Sequence, residues 1–401
     1  MRSLLRLGFA TLPLAFISHF LLPRMPAAHD LEPLVTFLLS GIAVIPLAHL
    51  MGESTAQLAE RTGPTIGGLL NATFGNAAEL IIGIIAMCKG LDDVVKASLT
   101  GSILGNLLLV AGAAMVVGGA KRERQVFSRA GAQTSVALLA VAVTGMLFPA
   151  IFHFTLTVYQ SDVNLAEHEA GVSVGSSAVL IAVYLLGLFF TLKTHRHIFS
   201  MTPAQSADDR AVGVTAHGMW SVKKSVWALL VASVLTALMA ELLVGSVEKA
   251  ATALHWNHLF VGVIVLALFG NAAEHSTAIM LAYRNDMETA MTITYQSSLQ
   301  IALFATPFLV LLSTFLSATG IAHTRLDLIF SPMEVAAVLL TVAVVTIISL
   351  NGESNWFEGV LLLAVYAILG ITFFYMPAAR QAQYNPYPSP PSAELNHDAT
   401  R

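Results

Sequence analysis

Charge is what this chain has least of. Only 11% of its 401 residues are Asp, Glu, Lys or Arg, against about 25% in a typical soluble domain, and 56% are hydrophobic. So few charges cannot cover a surface that faces water, so most of the chain must face hydrocarbon. A net charge of −4 leaves no basic face for nucleic acid, and no such partner is expected. The single cysteine, Cys88, excludes an intrachain disulfide; it lies in an apolar run and reads as a small buried hydrophobe. There is no phosphate-binding loop to drive a pump with ATP, and the apolar runs carry no His-Glu-x-x-His pair for an intramembrane protease. These absences point away from an enzyme and from a bound cofactor. Energy is expected to come from an existing ion gradient.

What is present is a series of long apolar runs. A bilayer core of about 30 Å needs about 20 such residues per helix. Runs of this kind are read at 5–24, 33–58, 65–88, 94–119, 129–151, 171–194, 223–247, 258–283, 288–317, 332–350 and 357–376. They are continuous rather than alternating, which favours helices over a β-barrel, because each span must satisfy its own backbone where no water is available. The expected fold is therefore all-α: a polytopic membrane protein of about eleven transmembrane helices. Arg2 and Arg6 ahead of Leu7–Leu22 resemble a signal peptide, but no small-x-small cleavage site follows cleanly, and a first membrane helix is the preferred reading.

Basic loops set the expected orientation. Lys121, Arg122, Arg124 and Arg129 follow span four, and Lys193, Arg196, Arg210, Lys223 and Lys224 surround the loop after span six. The loop from Gln160 to Ala170 carries Asp162, Glu167 and Glu169 and no Lys or Arg. The N-terminus is then cytoplasmic and the C-terminus outside. Lys89, Lys96 and Lys249 run against the rule, each near an acidic residue.

The chain repeats itself. Gly75-Asn76-Ala77-Ala78-Glu79 in span three recurs as Gly270-Asn271-Ala272-Ala273-Glu274 in span eight, almost half the chain later. Leu50-Met51-Gly52-Glu53 and Leu238-Met239-Ala240-Glu241 precede the two copies. Spans three and eight are five crossings apart, so the copies enter the membrane in opposite directions. That is an inverted repeat, which in secondary transporters places the site near the midplane where the halves meet. The expected division is a peripheral first helix (1–30), a first five-helix repeat (31–194), a cytoplasmic linker (195–222), a second five-helix repeat (223–376) and a disordered tail (377–401).

Glu79 and Glu274 lie deep in apolar spans, where an ionisable group costs about 2.5–3.5 kcal/mol or more. Brought together, two ionised glutamates repel; a divalent cation relieves that repulsion, and so do protons. One site can thus hold calcium or protons but not both, which is the core of an antiporter. Asn76 and Asn271 add amide oxygens, and Gly75 and Gly270 permit a helix break that frees carbonyls; calcium accepts about 6–8 such oxygens. His275 projects about 100° from Glu274 and is read as a helix-contact residue or a proton relay. Glu53 and Glu241 are read as interfacial entry or relay groups. Gly101-Ser102-Ile103-Leu104-Gly105-Asn106 and Ser297-Ser298-Leu299-Gln300 place Ser102, Asn106, Ser298 and Gln300 as accessory polar groups on spans four and nine. Gln133 and Glu334 are expected to extend the same polar interior.

The paired Gly-Asn-Ala-Ala-Glu motifs resemble the signature of the calcium/proton exchanger family, a branch of the cation/calcium exchanger superfamily. The likeness extends to Gly101–Asn106 and to Asn351-Gly352-Glu353-Ser354-Asn355-Trp356 before the last span. The resemblance implies Glu79 and Glu274 alternating between Ca2+ and H+. It also implies kinked segments lining an hourglass between two cavities, and sliding of spans one and six. Some members carry an acidic segment between the halves, whereas here only Asp208 and Asp209 stand together. Ala-Ala-Glu replaces the Gly-Thr-Ser…Pro-Glu pattern of sodium/calcium exchangers, which argues against sodium coupling. The expected partners are Ca2+ and H+ as substrates and the lipid bilayer, with a homo-oligomer left open. The expected location is a bacterial inner membrane. The rival readings are a Na+(K+)/H+ antiporter using the same carboxylates and a cation channel.

Overall fold

The computed structural model describes residues 2–25, 31–158, 164–194, 220–320 and 325–377. The expected linker and tail fall outside these residues apart from their edges. Eleven helices are described: α1 (Arg2–Leu21), α2 (Glu32–Phe74), α3 (Ala77–Cys88), α4 (Asp92–Gly119), α5 (Arg129–Val158), α6 (Leu165–Thr194), α7 (Val222–Ala253), α8 (His258–Tyr283), α9 (Met287–Ala318), α10 (Pro332–Ser349) and α11 (Trp356–Phe374). Local chemistry sets several starts. The Ser221 hydroxyl accepts from the Lys224 N–H, and Asn257 Oδ1 accepts from the Phe260 N–H at 2.7 Å. Ser331 with Glu334 and Asn355 with Glu358 form reciprocal capping boxes.

The turn after α3 and the turn after α8 are counterparts. Gly90 and Asn285 both take positive φ, 72° each. Each is followed by a bond across the helix end, Leu91 N–H to Ala86 O and Asp286 N–H to Leu281 O, both 3.0 Å. Glycine suits that backbone conformation, and asparagine is the next best tolerated there. The repeat read from the motifs therefore extends to the way the helices end.

The halves are inverted. Along α2 from Met51 to Gln57, the partner residues on the α7 side run backward from Thr236 to Trp220. At its start α4 is tied to the segment that follows α9: Lys96 Nζ meets Asp327 Oδ1 at 2.6 Å and the Ile329 carbonyl at 2.9 Å. Beyond its end, the Ser128 N–H donates to Glu288 at the start of α9. The matched helices α2 and α7, and α4 and α9, thus run antiparallel. The first helix lies outside this arrangement and packs on α2, with Gly8 against Pro46 and Ser18 against Thr36.

Two helices come unusually close where the halves cross. A Cβ on Gly101 of α4 would overlap the Val263 carbonyl of α8, and one on Gly262 would overlap Ala97. Backbone-to-backbone contact of this kind is open only to small residues. A short antiparallel ribbon, β1 (Gln125–Val126) with β2 (Glu353–Ser354), ties the loop after α4 to the loop before α11.

Three expectations change. Spans two and three are joined without an intervening loop: helical structure runs on from Glu32 to Phe74. It doubles back within that stretch, since a Cβ on Gly67 would stand 2.7 Å from the Ala59 carbonyl, where a straight helix separates such positions by about 12 Å. Cys88 is exposed rather than buried, because it closes α3 at the membrane edge. Gln133 is exposed on α5 and adds nothing to the polar interior.

The Lys96–Asp327 pair is buried, at 11% and 9% side-chain exposure. Removing one member should strand the other. Lys96→Met is expected to destabilise the protein by about 3–5 kcal/mol, and Lys96→Met with Asp327→Leu to regain most of that loss. Thermal unfolding of the two variants in detergent provides the measurement.

Candidate cation site

Helix α3 begins at the site. Gly75 and Asn76 form a turn between α2 and α3, so span three is broken at its motif. The break places Glu79 in the first turn of α3, where unpaired backbone N–H groups favour negative charge. In the other half, α8 stays helical through Gly270 and Asn271. Its irregularity lies upstream, as a π-helical stretch at Val261–Leu266. Two further π-helical stretches, Gly105–Val110 in α4 and Ile301–Ala305 in α9, follow directly on the polar motifs of those helices. Such widened turns recur at functional sites.

The motif amides reach across to the opposite half. Asn76 donates its amide N–H to Gln300 Oε1 of α9. Asn271 donates to Ser102 Oγ of α4 at 2.8 Å and to the Ala267 carbonyl at 3.1 Å. Both asparagines are 1% exposed. With their nitrogens engaged, Asn76 Oδ1 and Asn271 Oδ1 are left buried with no hydrogen-bond partner, as is Glu274 Oε2. Glu79 faces the second motif: a Cβ on Gly270 would stand 3.0 Å from Glu79 Oε1. Glu79 and Glu274 lie close enough for their charges to interact. Two amide oxygens without donors, Asn76 Oδ1 and Asn271 Oδ1, stand with the Glu79 and Glu274 carboxylates, and among the described residues no lysine or arginine is paired with either carboxylate.

The structure brings together Glu79, Glu274, Asn76, Asn271, Gly75, Gly270, Ser102 and Gln300. Asn106 joins through its amide, which donates to Ser297 Oγ at 2.8 Å. Ser297 is also a hydrogen-bond partner of Glu274. Its neighbour Ser298 is not at the site; its hydroxyl bonds the Thr294 carbonyl of its own helix at 2.9 Å. Ser297 was legible in principle, since it stands as far beyond Ser102 as Glu274 stands beyond Glu79. His275 is buried against Gly105 of α4, with Nε2 unpartnered. Glu241 lies away from the centre, exposed and paired with Lys89 at 2.7 Å. Glu53 is half-buried on α2. Glu334 is committed to Thr100 and to the cap of α10.

Among the described residues, no group of three or more His, Cys, Asp or Glu converges. The donor set is instead two carboxylates with neutral amide and hydroxyl oxygens. This suits a hard cation that takes many oxygens and keeps part of its water, and it does not suit a zinc or copper centre.

The sodium/calcium exchanger protein family model matches residues 32–193 and again 224–375. A Ca2+/H+ antiporter of Synechocystis sp. is 41% identical over 373 residues, 91% of this chain and 95% of that protein. The vacuolar calcium ion transporter of Schizosaccharomyces pombe is 40% identical, covering 85% of this chain and 79% of its own. The solved structure of native YfkE superposes with a TM-score of 0.74 at 36% identity, covering 93% of this chain and all of that one.

Gly270 gives the site geometry a direct test. Gly270→Ala pushes a methyl group toward Glu79 Oε1 and is expected to weaken Ca2+ binding by about tenfold, about 1.4 kcal/mol. Gly52→Ala, whose Cβ meets nothing within 4 Å, should leave binding unchanged. Calorimetric titration of the purified variants with Ca2+ checks both.

Proposed function

The chain belongs to the sodium/calcium exchanger protein family, and from that premise we propose that it is a calcium/proton exchanger, moving Ca2+ against H+ across a membrane by alternating access. The observation that carries this reading is the set of buried acceptors without donors, Asn76 Oδ1, Asn271 Oδ1 and Glu274 Oε2, beside Glu79. Calcium fills such a set with its positive charge. Protons on the two carboxylates satisfy it differently, by removing the negative charge. Because both use the same oxygens, one load excludes the other, and each passage exchanges them. Relatives that bear the names Ca2+/H+ antiporter and vacuolar calcium ion transporter support Ca2+ and H+ as the substrates.

The protein is a multi-pass membrane protein. We place its N-terminus in the cytoplasm and its C-terminus outside, on the basic loops at Lys121–Arg129 and around Lys193 and Lys223. We place it in a bacterial inner membrane, on the scarcity of acids in the linker.

Proteoliposomes with an imposed pH gradient test the exchange. Ca2+ uptake should follow the gradient and collapse with a protonophore; movement of Na+ or K+ alone would overturn the substrate. Glu79→Gln and Glu274→Gln should each abolish exchange while leaving the folded protein intact by size-exclusion chromatography. Near-parental transport in either variant would remove the paired-carboxylate mechanism.

Competition also sets a sign for pH. Carboxylates bind Ca2+ only when deprotonated, so apparent affinity should weaken as pH falls, by up to about tenfold per pH unit for each proton displaced. A flat profile between about pH 6 and 8 would show that these groups do not exchange protons in the cycle.

A further inference from the structure

A cleft of about 490 Å3 lies at the end of α4, lined by Gly119, Ala120, Lys121, Arg122, Glu123, Asn355 and Trp356. We propose that this cleft binds the headgroup of an anionic phospholipid. Its position is the first reason. The lining includes the last residue of α4 and the first of α11, so the mouth opens where hydrocarbon gives way to water.

Its charges are the second. Lys121 is exposed and has no ion pair or hydrogen bond among the described residues. Arg122 is braced by the Gly118 carbonyl at 2.8 Å and the Tyr283 carbonyl at 3.4 Å, which holds its guanidinium in place. The acid in the lining is Glu123; nearby Glu353 is already paired with Arg124 at 3.2 Å. The start of α11 is not the anion site, because Asn355 Oδ1 takes the Phe357 and Glu358 N–H groups. The cations of the loop after α4 would therefore hold the phosphate.

The aromatic rim and the adjoining helix are the third. Trp356 and Phe357 are each 53% exposed, and Trp is the residue that favours the headgroup level. Beyond them α11 presents Val360, Leu361, Ile368 and Ile371 as exposed apolar side chains, a path for acyl chains. A free anion has no use for such a path. The loop is on the face assigned above to the cytoplasm, where basic segments meet anionic lipid.

The experiment uses the full chain with Trp356 as its remaining tryptophan, the other three (Trp220, Trp227, Trp256) replaced by phenylalanine, in phosphatidylcholine vesicles. Brominated phosphatidylglycerol should quench Trp356 with an apparent affinity about fivefold above that of brominated phosphatidylcholine. Lys121→Glu should bring that ratio to about one, while quenching by brominated phosphatidylcholine persists and reports an intact, inserted protein. Equal quenching by the two lipids overturns the proposal, as does a preference that survives Lys121→Glu. Loss of the preference on adding excess inorganic phosphate would assign the cleft to free phosphate and likewise overturn it. None of these readings depends on transport, so they stand or fall apart from the exchange reaction.

Discussion

Two carboxylates set into hydrocarbon from opposite halves of the chain, at Glu79 and Glu274, make the demand around which the interior is arranged. Each costs about 2.5–3.5 kcal/mol to place there. Among the described residues no lysine or arginine pairs with them. The polar groups of the site are hydroxyls and amides, among them Ser297, Asn76 and Asn271, which can orient a cation but cannot replace one. In the proposed cycle the missing positive charge arrives from outside and leaves again. This separates a transport site from a permanent metal centre.

The rest of the interior serves to bring those groups together across the halves. Asn76 of the first half is held by Gln300 of the second, and Asn271 of the second by Ser102 of the first. Each bond engages the nitrogen end of an amide and leaves its carbonyl oxygen buried without a donor. That exchange needs α4 and α8 nearly in backbone contact, which Gly101 at Val263 and Gly262 at Ala97 provide. The widened turns at Gly105–Val110 and Ile301–Ala305 begin three residues after Ser102 and directly after Gln300. They give α4 and α9 backbone irregularities in matched positions, where a regular helix would bond all of its own carbonyls.

Elsewhere several charged groups are paired. Lys96 meets Asp327, and His153 meets Glu169 between α5 and α6. Lys89 meets Glu241 at the surface. Such pairs hold helices to loops or to one another. The contrast with Glu79 and Glu274 is chemical: these structural carboxylates have cations or capped N–H groups, while among the described residues the two carboxylates of the proposed cation site are paired with no cation.

Hydropathy alone determined that the chain is a helical membrane protein of about eleven helices, because hydrocarbon leaves the backbone no other economical way to bond itself. The duplicated motif determined that the halves are inverted copies, and it singled out Glu79, Glu274, Asn76 and Asn271, since an identity shared by two apolar spans is costly to keep. Only the tertiary structure decided what depends on which face of a helix meets which neighbour. It turned Ser297 into the site and Ser298 back onto its own helix, although the two are adjacent in sequence. It took Glu241 out to Lys89 although its motif resembles that of Glu53. It broke span three at Gly75–Asn76 while leaving the same residues helical at Gly270–Asn271. Identical motifs are free to differ in this way because their backbone is set by long-range packing against the opposite half, and that packing is not written in the motif.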